Sequence, residues 1–380
     1  MTPDRLAQLT ELRHALHQIP EISGAEGKTA ALIADFLRGH DPDQLLTGLG
    51  GHGVAAVYDG AADGPTVMIR CELDGLPIEE LSDQPYRSSH PGRGHLCGHD
   101  GHMTIVAALA QDLVARRPAR GRVVLLFQPA EETGQGARAV IADPAFPQIA
   151  PEYAFALHNL PGLPVGAVAL CAEAANCASR GMRIRLMGKT SHAAAPQDGI
   201  SPAGAMAQLL PALAALAGGQ DLGPDYALVT LTHARLGEAT FGIAPGEGEV
   251  WATLRTVSDA RMEALIAKAT DLTGRICADS GVGCDISFDD IFDACTNDTE
   301  AVTILQAACH AAGHPVEIRD LPQRWSEDFG QFGKAARAAM IWLGSGEMQP
   351  QLHNPDYDFP DDAIPVGVSI FTAILDDLLR

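Results

Sequence analysis

Nowhere in the 380 residues is there an uninterrupted apolar run approaching the roughly 18–20 side chains that a membrane-crossing helix needs. No membrane partner is therefore expected. Cys-x-x-Cys pairs are missing too. The eight cysteines, at positions 71, 97, 171, 177, 277, 284, 295 and 309, form no dense framework. That argues against a disulfide scaffold and for buried thiols in a reducing compartment. Only Cys97 sits among other potential metal ligands. Basic residues are scarce, with 26 Lys and Arg against 48 Asp and Glu, for a formal charge of −22. So acidic a surface repels phosphate backbones, which excludes nucleic acid as an expected partner and favours solubility. No internal repeat or low-complexity tract stands out. Met1-Thr-Pro-Asp-Arg runs into a polar amphipathic stretch with no visible secretory signal, so the cytoplasm is the expected location.

What remains is a globular composition, 46% hydrophobic and 19% charged, in a chain long enough for about two domains. Residues 5–37 read as helix, a break at Pro20-Glu21-Ile22-Ser23-Gly24, then helix, with Leu6, Leu9, Leu12 and Leu16 at helical spacing. Short apolar runs at 53–58, 66–73, 122–128 and 153–158 read as buried strands. Between two of them, 102–116 reads as a helix with Ile105, Val106, Leu109, Leu113 and Val114 on one face and Pro118 beyond its end. Strands alternating with helices predict a layered α/β domain with a mixed central sheet and helices on both faces. The middle of the chain differs. Its order of strand 182–187, helix 201–216, strands 226–234 and 249–256, helix 259–279 and strand 284–288 is the β-α-β-β-α-β pattern of a ferredoxin-like α+β unit. The expected division is a first catalytic segment at 1–177, an inserted lid at 178–290, and a second catalytic segment at 291–380.

The sharpest feature is Gly94-His-Leu-Cys-Gly-His-Asp-Gly-His102. Thiolate and imidazole suit zinc and similar borderline metals, and three glycines let the backbone turn tightly enough to aim several side chains at one point. A capped helix start with incidental histidines is the plain alternative. A second feature is Val123-Val-Leu-Leu-Phe-Gln-Pro-Ala-Glu131-Glu132, an apolar strand ending in two adjacent carboxylates. Ligands gather beyond the carboxyl ends of strands in open α/β sheets, and two carboxylates there can divide metal binding from proton transfer. A solvated acidic loop would look the same. His158 closes another apolar strand, and His353 follows the strand expected at 339–343; each alone would read as structural or surface histidine. Together these features place Cys97, His99, Glu132, His158 and His353 in loops at one edge of one sheet. That is enough for two ions with shared ligands, and it leaves Glu131 for acid–base work.

At this point the chain resembles the M20 metallopeptidase family, in its amidohydrolase branch of N-acyl-amino-acid amidohydrolases, hippurate hydrolases and auxin-conjugate hydrolases. The motifs that carry the resemblance run nearly end to end: Leu16-His17-Gln-Ile-Pro20-Glu21 with Glu26-x-x-Thr29, Arg70-Cys-Glu-Leu-Asp74-Gly-Leu-Pro77, Cys97-Gly-His99-Asp100-Gly-His102, Phe127-Gln-Pro-Ala-Glu131-Glu132, His158-Asn-Leu-Pro161, Gly188-Lys-Thr-Ser-His192, Ser326-Glu-Asp-Phe329, and His353 with Tyr357-Asp-Phe. The resemblance implies two divalent ions (Zn, Mn, Ni or Co) on Cys97, His99, Glu132, His158 and His353, with the Cys97 sulfur as bridge. It implies Glu131 as general base and acid, and a lid through which the chain forms a homodimer. His192 matches a lid histidine that reaches a small amide substrate, and Arg255 aligns with a lid arginine for a substrate carboxylate, although an ordinary salt bridge is an equal reading. Asp74 is expected to orient a metal ligand.

Three positions depart from the branch. Glu72 stands where aspartate is usual, Lys189-Thr-Ser replaces a commoner Gly-Gly before His192, and Gly242 replaces a pocket asparagine. These changes point to an unusual substrate or a less polar pocket. The expected activity is hydrolysis of the amide bond of small N-acyl amino acids or related conjugates. The rivals are a metallo-exopeptidase on the same fold and a non-catalytic metal- or ligand-binding protein.

Overall fold

The computed structural model describes residues 1–219 and 221–380. The chain divides into two compact units. One comprises Met1–Ala175, Thr296–Asp320 and Asp328–Arg380; the other comprises Asn176–Cys295 and Leu321–Glu327.

The first unit is built on an eight-stranded mixed sheet. Its strands run in the order Gln44–Leu49, Gly53–Asp59, Arg122–Gln128, Thr66–Glu72, Tyr153–Pro161, Arg337–Gly346, Val168–Cys171, Val316–Arg319. The four central strands, from Arg122–Gln128 to Arg337–Gly346, are mutually parallel. They are buried along almost their whole length, as expected of parallel strands covered on both faces. On one face Val67, Ile69, Leu125, Phe155 and Ile341 share a core with the helices Pro3–His17, Gly27–Arg38, His99–Ala115, Thr299–Ala311 and Ile364–Leu379. The other face carries Arg70 and Gln128, which meet Asp328; Asp328 in turn takes the N–H of Ala137 near the start of the helix Gly136–Ala142.

The helix expected at 102–116 begins three residues earlier, at His99. Gly98 caps it in the left-handed region, φ +88°, and a Cβ there would lie 2.5 Å from Asn159 Oδ1. Only glycine fits both constraints. Asp100 sits in the first turn, where the helix dipole favours a carboxylate. The strand expected at 153–158 continues to Pro161, so His158 lies within the sheet, opposite Trp342, and not in a loop.

The second unit is a four-stranded antiparallel sheet in the order Ala227–Leu236, Glu247–Thr256, Ala178–Met187, Gly283–Phe292. Helices Ala203–Ala214 and Asp259–Asp279 close its core over Met182, Ile184, Val250 and Leu254. Ser258 caps the longer helix, its hydroxyl accepting the N–H of Arg261 at 3.3 Å. The short segment Leu321–Glu327 also belongs to this unit. No helix among the described residues is long and apolar enough to cross a membrane.

Candidate metal centre

The carboxyl ends of the parallel strands deliver the potential ligands. Glu131 and Glu132 follow Arg122–Gln128, His158 lies within Tyr153–Pro161, and His353 follows Arg337–Gly346. Cys97 and His99 straddle the glycine cap of the helix His99–Ala115.

The two buried histidines are held in a ligand-ready state. His99 Nδ1 is 2.8 Å from the main-chain oxygen of Asp74, and His158 Nδ1 is 2.8 Å from that of Asn159. A carbonyl only accepts, so in each ring Nδ1 carries a proton and Nε2 is the nitrogen left to bind a metal once its own proton is gone. His99 Nε2 is buried without a hydrogen-bond partner among the described residues. It lies 3.9 Å from both Glu131 Oε2 and Glu132 Oε1. Cys97 Sγ is 3.5 Å from His158 Nε2, and His353 Nε2 is 3.5 Å from Glu132 Oε2. Two ligands of one tetrahedral ion with bonds of about 2.0–2.3 Å stand roughly 3.3–3.8 Å apart, so these separations suit donors that share cations. Three groups of donors converge: Cys97 with His99 and His158, Cys97 with Glu132 and His353, and His99 with Glu131 and Glu132. Cys97, His99 and Glu132 each belong to two of them.

The electrostatics ask for positive charge. Burial pushes the His99 imidazole down, but Asp74, Glu72 and Glu132 outweigh it and raise the ring to about 10. Burial, then Glu132 and Glu131, push the Cys97 thiol well up, so only a cation makes a thiolate affordable there. Burial holds His158 well below its ordinary value, in the neutral form that metals bind. A mixed S, N and O donor set around a buried lone pair fits the dinuclear centre expected from the sequence.

Asp74 departs in part from its expected role. Its main-chain oxygen orients His99, while its carboxylate lies 3.6 Å from the ring. That carboxylate instead accepts from Ser23 Oγ at 2.7 Å and from the N–H of Glu132 at 3.0 Å. Glu72 is wholly buried between Arg70 and His102, with Oε2 2.7 Å from His102 Nδ1. Burial would raise its carboxyl, but Arg70 and then His102 hold it well below the usual range. The longer arm therefore reaches a partner and fills its pocket.

His192 and Arg255 both lie in the second unit. His192 is exposed in a two-residue strand opposite Ile243, with Nδ1 accepting the N–H of Ala194. The N–H of Ala193 donates to the oxygen of Gly242. Arg255 has no carboxylate partner among the described residues, so the salt-bridge reading does not apply. Its Nη1 donates to the oxygen of Arg324 and to Ser326 Oγ, at 3.1 and 3.0 Å.

Several supporting residues escaped the sequence reading. Arg13 is completely buried and joins Asp100, Asp358 and Asp361 at 2.5–2.9 Å. Asn159 Nδ2 donates to the Tyr357 hydroxyl at 2.6 Å. Their signal was position: Asn159 follows His158, and Asp358 and Asp361 lie just beyond His353.

A model of the peptidase family M20/M25/M40 matches residues 68–377. The chain belongs to this family. N-acetyldiaminopimelate deacetylase of Exiguobacterium sibiricum is 31% identical over 360 residues, spanning 95% of this chain and 96% of that protein. N-acetylcysteine deacetylase of Bacillus subtilis is 28% identical over 377 residues, spanning 97% and 96%. Among solved structures, the Bacillus subtilis YXEP protein, a dinuclear metal-binding peptidase of the M20 family, superposes with a TM-score of 0.84 at 25% identity, spanning all of this chain and 99% of that one. This M20 chain is a hydrolase of the amidohydrolase branch, acting on amide bonds.

Proposed function

We propose that the protein is a metal-dependent deacylase in which Cys97, His99, Glu132, His158 and His353 hold two divalent ions and Glu131 moves the proton. Its substrates are small N-acyl amino acids or related amide conjugates. The carrying observation is that donor atoms from four separated stretches of chain stand 3.5–3.9 Å apart, with Glu131 Oε2 3.9 Å from His99 Nε2.

When bound, the ion pair supplies a water acidic enough to ionise near neutral pH. Glu131 takes the proton of the attacking water on a carboxylate oxygen and passes it to the leaving amine. The main-chain oxygen of Asp74 keeps the His99 ring in its ligand tautomer. His192 stabilises the oxyanion and Arg255 receives the substrate carboxylate, both on the strength of the family resemblance. The metals are Zn, Mn, Ni or Co. The working form is a cytoplasmic homodimer joined through the second unit.

The test is Glu131→Gln in metal-reconstituted protein, assayed for released amine on N-acetyl amino acids and on dipeptides. Turnover should disappear while ion binding persists, and the parent protein should prefer the N-acetyl compounds. A variant that works at near-normal rate removes Glu131 from the mechanism. A preference for dipeptides would make the protein an exopeptidase.

A further inference from the structure

The backbone N–H groups of the two residues flanking Glu131 are each held by a buried carboxylate. The N–H of Glu132 donates to Asp74, as described. The N–H of Ala130 donates to Glu26 Oε1 at 2.8 Å. Ala130 has φ +51°, a left-handed conformation that a residue with a Cβ rarely adopts and that persists only where its surroundings enforce it. Two local bonds hold the carbonyl side of this turn: the N–H of Gly136 donates to the oxygen of Ala130 at 3.0 Å, and the N–H of Gly134 to that of Glu131 at 2.7 Å; the N–H side is held by Glu26.

The Glu26 side chain has one other contact, at the turn of Gly24. The residue precedes the helix Gly27–Arg38, yet its side chain does not cap that helix. It is completely buried. Oε1 also takes the N–H of Gly24, and Oε2 has no hydrogen-bond partner among the described residues. Burying a half-used carboxyl group is unfavourable where an apolar side chain of the same size would fill the space. Its retention follows if the Ala130 amide must be held.

We propose that Glu26 is a positioning residue for Glu131: by pinning the left-handed peptide at Ala130 it aims the proton-carrying carboxylate. This rests on the role proposed above for Glu131.

The test compares Glu26→Gln, Glu26→Asp and Glu26→Met in the full chain loaded with cobalt, with metal stoichiometry and the cobalt–thiolate absorbance of Cys97 read beside kinetics. Gln keeps an acceptor at the same reach and should stay within roughly threefold of the parent kcat. Asp withdraws the acceptor and Met abolishes it. Both should lose about 10- to 100-fold in kcat, the usual effect of a misplaced catalytic group, with KM, stoichiometry and absorbance unchanged. Adding Glu26→Met to Glu131→Gln should cost nothing more. If the Met variant does not fold, the Gln and Asp pair decides. Equal kcat in Gln and Asp beside an inactive Glu131→Gln overturns the positioning role alone, as does a loss explained entirely by missing metal. An active Glu131→Gln overturns the reading beneath it.

Discussion

Arg13 and Asp100 form a fully buried ion pair at 2.9 Å, and the same guanidinium reaches Asp358 at 2.8 Å and Asp361 at 2.5 Å. Asp100 is the neighbour of His99, and Asp358 and Asp361 lie on the stretch that follows His353. One cation thus ties together two ligand-bearing segments. Burial opposes its charge, but Asp100, Asp358 and Asp361 hold it well above even the ordinary arginine range. Arg13→Met leaves the buried Asp100 without its guanidinium and takes the shared partner from the partly exposed Asp358 and Asp361. We expect a loss of about 3–5 kcal/mol in urea unfolding, together with weaker binding of the ion near His353. Unchanged stability would show that the clasp bears no strain.

His17 gives the pH dependence. It lies 2.9 Å from Asp100 and 3.1 Å from Glu80. Burial lowers its pKa, but Asp100 and then Glu80 outweigh burial and raise it to about 10, against 6.5 as the ordinary value. A raised pKa means that the stabilisation is complete below about 6.5 and fades as pH climbs towards 10. The stability gap between the parent and His17→Gln should therefore be widest near pH 6 and should close on the alkaline side. A gap that grows with pH would reverse the assignment.

The ligands should not be equivalent. Cys97 belongs to two donor groups and is buried, whereas His353 belongs to one and its side chain is 48% exposed. Cys97→Ser should weaken retention of both ions. His353→Ala should lower the metal content after dialysis from two per chain towards one. Equal losses in the two variants would argue against a shared sulfur.

Gly242 is open to substitution. A Cβ there would meet nothing within 4 Å, and its φ lies outside the left-handed range. Gly242→Asn should change stability by no more than about 0.5 kcal/mol. It should lower KM for carboxylate-bearing N-acetyl amino acids by restoring a polar group beside Ala193. A melting shift without any change in KM would give position 242 a purely structural part.

Much of this was legible in the chain. The helix Asp259–Asp279 was read with the bounds it has, and the central strands showed through unbroken apolar runs. Gln44–Leu49, Val168–Cys171 and Val316–Arg319 were missed. The first and last are half exposed, with polar residues breaking their pattern, and the middle one is only four residues long. That Cys97, His99, Glu132, His158 and His353 come together was readable because candidate ligand chemistry is written in side-chain type. The long-range contacts of Arg13 and Glu26 were not, because their partners lie 87 and 104 residues away, and no local pattern records those.

The parallel neighbours Tyr153–Pro161 and Arg337–Gly346 lie side by side although 175 residues separate the end of one from the start of the other. Closing so long a loop is slow relative to local folding. The centre they flank is thus among the last parts of the molecule to exist, since His353 arrives only when the later strand has docked. On the proposed ligand set, a chain whose later strand has not docked lacks His353 at the centre.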